Sequence, residues 1–219
     1  MAVKKPVGLS IVPIALCALM GCQASAEEID GKTTSAENAA IVETLPVTNP
    51  SVPETHKRVI DLVVAGENAR ATNDVKTLLQ TAQTLRDMGA HPIAGTEDLA
   101  KNWTVMAETM QTDDTAPIPF RGRINGPAYR KQNLIPAGSD TIEDIYYAAE
   151  LAELTLETLS GTPLSWSVYE AGSEQDKICH SVEETNTQSC RFTPLWTAKY
   201  KIRILNDSSQ AASYLFITN

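Results

Sequence analysis

The sequence predicts a mainly β chain with a small α region: about three short helices, then an antiparallel, jelly-roll-like β-sandwich of about eight strands. Three observations predict it. Apolar residues recur at helical spacing only in residues 55–111, and the period changes to two from Phe120 onward. Strand-like runs are spaced by Gly161, Gly172 and the Asn206-Asp207-Ser208-Ser209 turn. Aromatics are only 5% of 219 residues, so the core must be built mainly from Leu, Ile, Val and Ala.

The first 21 residues read as an export signal. Lys4 and Lys5 precede a mostly apolar stretch from Val7 to Met20, shorter than the ~20 residues that span a bilayer. Two processing sites compete. Leu19-Met20-Gly21-Cys22 resembles the bacterial lipobox, in which the Cys22 thiol is acylated, and Ala24-Ser25-Ala26 would permit cleavage after Ala26. The expectation is an exported protein: an outer-membrane lipoprotein facing the periplasm or cell surface, or alternatively a soluble periplasmic or secreted one. Its contact with the membrane would be through the lipid anchor only.

Residues 22–54 mix Ala, Ser, Thr, Glu and Pro without periodicity, which predicts a disordered tether. The helical region spans 55–118. Thr55 is a possible cap for a stripe of Val59, Leu62 and Val63. Asn73 is a possible cap for a second stripe of Val75, Leu78, Leu79, Ala82 and Leu85, which Gly89 ends. A third helix is expected from Thr96, with Leu99, Trp103, Met106 and Met110 on one face. Three such helices bury little alone, so they are expected to pack on one another and on the C-terminal half of the chain.

Gln111 to Pro119 reads as a hinge, and residues 119–219 as the sandwich. Alternation is clear in Leu154/Leu156, in Leu164/Trp166/Val168, in Trp196 to Ile204, and in Tyr214/Phe216/Thr218. Lys199, Lys201 and Arg203 fall on the outward face of one strand, where lysines at a sheet edge would deter aggregation. Cys17 lies within the signal and Cys22 at its end. Cys179 and Cys190 remain, and a disulfide between them is the expected state in an oxidising compartment.

Several segments carry a resemblance: Thr162 to Gly172 (TPLSWSVYEAG), Arg191-Phe192-Thr193-Pro194, Tyr200 to Ile204 with Asn206, and Tyr214-Leu215. Together they resemble bacterial pre-peptidase C-terminal domains over residues 130–219. The resemblance implies a compact, secreted, non-catalytic accessory module. That family often carries a D-x-D in the first of these segments, sometimes with calcium nearby. Pro163 and Ser165 stand there instead, so no metal and no cofactor is expected.

The formal net charge of −9 disfavours nucleic acid as a partner. Residues 22–118 carry most of the excess, at −8 against −3 for residues 119–219, while residues 1–21 contribute +2. His56, His91 and His180 are far apart and have no metal-ligand spacing. No G-x-S-x-G, H-E-x-x-H or phosphate loop occurs, and the adjacent Glu143-Asp144 reads as solvated loop charge. No catalytic residue is assigned. Arg121, Arg123, Arg130 and Lys131 form a possible anionic-ligand patch, although ion pairing to the acidic helical half explains them more simply. The expected role is binding or scaffolding of an envelope component or exported protein. The alternative is an accessory or inhibitor docking on an exported hydrolase through the helical half, and a cryptic hydrolase is the remotest reading.

Overall fold

The computed structural model describes residues 50–110, 126–181 and 185–219. All of these described residues belong to one compact unit. Cys22, both cleavage sites, nearly all of the tether, the hinge, Arg121 and Arg123 lie outside the described residues.

The helices are α1 (Glu54–Thr72), α2 (Val75–Asp87) and α3 (Leu99–Met110). Each boundary differs slightly from expectation, for a local reason. Pro53 occupies the first N-cap without a side-chain bond, and its carbonyl accepts from Lys57 N–H at 2.9 Å, so Thr55 is already helical. Asn73 adopts the left-handed conformation (φ 55°) and ends α1, its N–H donating back to Ala69 and Arg70 carbonyls. Asp74 therefore caps α2, accepting from Thr77 N–H at 3.1 Å. Thr96 bonds back to the Ile93 carbonyl at 2.6 Å, leaving Asp98 to accept from Lys101 N–H at the start of α3.

A two-residue strand between the last two helices, β1 (His91–Pro92), has no signal in the sequence, and it pairs parallel with the sandwich. The remaining strands are β2 (Ala128–Leu134), β3 (Ser139–Tyr146), β4 (Ala152–Thr158) and β5 (Ser165–Glu170). They continue with β6 (Lys177–His180), β7 (Thr187–Phe192), β8 (Ala198–Leu205) and β9 (Ala212–Thr218). One sheet has the order β1-β2-β9-β4-β7 and the other β3-β8-β5-β6. All pairings among β2 to β9 are antiparallel, which gives an eight-stranded jelly roll. Because β8 is interior to its sheet, Lys199 and Lys201 do not guard an edge. They pair with Glu143 of β3, and Lys201 also with Glu174.

The larger sheet is buried on both faces. Toward the second sheet, Tyr214, Phe216, Leu154 and Leu156 meet Trp166, Val168, Ile202 and Ile204. On the other face, Tyr129, Leu215 and Ile217 share a core with Val59, Val63, Leu78, Leu99 and Trp103 of the helices. Polar ties reinforce this second contact. The Tyr129 hydroxyl accepts from Leu99 N–H at 3.1 Å, and Lys131 pairs with Glu67 at 2.7 Å.

A disulfide joins Cys179 of β6 to Cys190 of β7, with Cα atoms 6.0 Å apart, so it links the edge strands of the two sheets. Both cysteines are buried. With a sequence separation of 11, loop closure predicts that Cys179→Ser/Cys190→Ser loses roughly 3 kcal/mol. Urea denaturation checks this, and a loss near zero would contradict it. Gly66 provides a sharper packing test, because a Cβ there would lie 2.3 Å from the Trp103 ring. Gly66→Ala is expected to cost about 1–3 kcal/mol by overpacking, and an unchanged denaturation midpoint would contradict that.

Candidate functional site

Three loops gather at one end of the sandwich: residues 147–151 after β3, 171–176 after β5 and 193–197 after β7. Beneath them, Tyr146, Phe192 and Tyr200 form an aromatic cluster with ring centroids 5.1–5.6 Å apart. The first and third loops are bonded to each other. Ala149 N–H donates to the Pro194 carbonyl at 2.9 Å, and Ala148 N–H to the Thr197 hydroxyl at 3.0 Å. Ala149 takes φ 62°, a left-handed conformation unfavourable for a residue with a Cβ. Its hydrogen bond to the neighbouring loop holds it there.

The side chains that these loops present are large and apolar. Leu195 is 85% exposed, Tyr147 58%, Trp196 57% and Leu151 52%. Trp196 is held in place, its indole N–H donating to Glu170 Oε1 at 2.9 Å. Exposed apolar residues scattered singly need no explanation, but four on two mutually bonded loops form a patch.

A cleft of about 320 Å³ opens beside this patch, between the edge strands of the two sheets. His91 and Ala128 line it from one sheet, Asp144 and Tyr146 from β3, Glu150 and Leu151 from the loop, and Asn219 from the end of β9. Asp144 thus lies on a strand that faces a cleft, where the sequence suggested loop charge. Its Oδ1 accepts from Ile145 N–H at 2.8 Å. The His91 Nδ1 donates to the Gly89 carbonyl at 3.1 Å.

Arg130 and Lys131 are neighbours on a strand and point to opposite faces of the larger sheet. Arg130 pairs with Asp140 of β3 at 2.6 Å, and Asp140 also accepts from the Tyr214 hydroxyl at 2.5 Å. Lys131 pairs with Glu67 under the helical layer. The two cations therefore do not converge on one ligand.

One pair that sequence spacing could not show has the form of a nucleophile and its base: His56 Nδ1 lies 2.9 Å from the Thr155 hydroxyl. Both residues are fully buried between α1 and the larger sheet, and neither lines the cleft. Burial, with the nearby Arg191 charge, lowers the His56 pKa to about 4, so the imidazole is neutral. Its Nε2 has no hydrogen-bond partner among the described residues. The pair fastens α1 to the larger sheet. Among the described residues, no three His, Cys, Asp or Glu side chains are grouped to hold a metal ion, and no helix is long and apolar enough to cross a membrane.

The His56 environment fixes a pH dependence. An imidazole that titrates near 4 when folded and near 6.5 when unfolded gives the unfolded chain the greater proton uptake between those values. Its contribution is present in full above pH 6.5 and is lost as pH falls toward 4, about 3 kcal/mol in total. His56→Gln should therefore narrow its stability difference from the parent protein across that window. Urea midpoints at pH 7 and pH 4 check this, and a difference that stays constant would contradict it.

No family model matches the chain, and no curated protein matches it. Solved structures give distant, partial likenesses. The chain is similar to the pre-peptidase C-terminal domain of a collagenase from Bacillus anthracis, at 14% identity and TM-score 0.38, over 42% of this chain and 87% of that one. It is also similar to Aeromonas hydrophila PliG, a periplasmic inhibitor of g-type lysozyme, at 11% identity and TM-score 0.35, covering 42% and 84% of the two chains. A third similarity is to the Yersinia pseudotuberculosis-derived mitogen, at 12% identity and TM-score 0.35, covering 43% and 85%.

Proposed function

We propose that this chain is an exported, non-catalytic binding protein of the bacterial envelope, anchored as a lipoprotein through Cys22, whose jelly-roll end recognises an envelope component or another exported protein. The observation that carries this reading is the fixed apolar patch of Tyr147, Leu151, Leu195 and Trp196 beside an open cleft. Loops held by a rigid scaffold are where binding residues concentrate. An aromatic pinned before its partner arrives loses little entropy on binding. The signal-like N-terminus and the disulfide both suit an oxidising extracytoplasmic compartment.

A second reading is an accessory or inhibitor that docks on an exported hydrolase through the helical layer. Val64 and Val105, exposed on α1 and α3, favour it. Photo-crosslinking residues placed one at a time at Tyr147, Trp196, Val105 and Arg203 in the exporting cell separate the two. Discrete adducts from positions 147 and 196, with none from 105 or 203, are the expected result. Adducts confined to 105 would move the binding face to the helices, and equal or absent adducts everywhere would overturn the reading.

A further inference from the structure

We infer that the cleft beside the apolar patch receives a lysine or arginine side chain from a basic protein partner; this rests on the reading of the loop end as a binding face. At about 320 Å³ the cleft sits at the bottom of the range of about 300–1,000 Å³ typical of small-molecule sites, so it suits one long side chain. Its walls suit the stem of such a chain. Tyr147 and Leu151 line the cleft and are half-exposed, offering surface that methylenes can cover while the charged head reaches the carboxylates.

The head group would meet two carboxylates from different elements, Asp144 on β3 and Glu150 on the loop after it. Some acids elsewhere in the fold are paired with cations. Asp140 is paired with Arg130, Glu153 with Arg191, Glu143 with Lys199 and Glu67 with Lys131. Among the described residues, no cation pairs with Asp144 or Glu150. Two carboxylates without a cation partner thus stand on different elements where a cavity opens. A cation entering here replaces lost hydration with charge-assisted hydrogen bonds, and the chain's net charge of −9 steers a basic surface toward it. Leu195 and Trp196, on the adjoining loop, would then lie under the same partner as its apolar contacts.

The test is a titration of the full exported chain, 15N-labelled, with N-acetyl-arginine amide and N-acetyl-lysine amide. N-acetyl-norleucine amide serves as the uncharged isostere and N-acetylglucosamine as a neutral sugar. Saturable amide shifts centred on Asp144, Glu150, Leu151 and Asn219 are expected with the two cations, with dissociation constants of roughly millimolar order, and none with norleucine. Glu150→Gln should weaken arginine binding about fivefold while leaving the remaining amide spectrum unchanged. Saturation by the sugar and not by the cations would overturn the basic partner while leaving the loop end a binding face. No saturation by any compound would overturn the cleft as a side-chain site, whereas the crosslinking pattern decides the binding face independently.

Discussion

The constraint on which the rest of the molecule depends is that strand β9 is buried on both sides. Tyr214 and Phe216 enter the jelly-roll core, while Leu215 and Ile217 enter the core beneath the helices. Full burial of each such side chain stabilises by about 1.5–3 kcal/mol, so one strand supplies an anchor to both cores. A register slip of one residue would exchange the two sets and damage both cores at once. The helical layer is therefore the third layer of a helix–sheet–sheet stack. His56–Thr155, Glu67–Lys131 and Tyr129–Leu99 supply polar fastenings along the same contact.

This arrangement gives the loop end its character. The larger sheet is covered by helices on one side and by the second sheet on the other, and the disulfide ties the edge strands β6 and β7. The loops over the Tyr146, Phe192 and Tyr200 cluster are thus mounted on a fixed base. At the opposite end the chain spends its polar groups on itself. Buried Asn206 donates to the Ile135 and Gln210 carbonyls and accepts from Ser208, which locks the turn before β9. Of the two ends, the first combines exposed apolar side chains, a cleft and unneutralised carboxylates.

Much of the fold was legible because one face of a strand contrasts with the other. The alternation in β8 is plain, since Lys199, Lys201 and Arg203 face solvent and Tyr200, Ile202 and Ile204 face the core. In β9 the same period is present, but both faces are apolar, so the sequence alone does not say that a helix covers one of them. The strands β6 (KICH) and β7 (TQSCRF) are too short and polar to show a period, and pairing with β5 and β4 makes them strands. The cysteines were legible as a pair because the other two, Cys17 and Cys22, fall in the signal-like N-terminal stretch. The site was not legible: Tyr147, Glu150, Leu195 and Trp196 come from two loops with no shared spacing, and only sheet closure brings those loops together. Arg130 and Lys131 looked like a patch only because the strand that separates their side chains was not apparent.

The central claim, that β9 makes the helices and the jelly roll one cooperative structure, is tested most directly by native-state hydrogen exchange. The slowest amides of α1 and α3 should exchange with the same opening free energy as those of β4 and β9, equal to the global unfolding free energy. Helical amides that all exchange through a much cheaper opening, while β4 and β9 keep full protection, would show the helical layer to be separable and contradict the account.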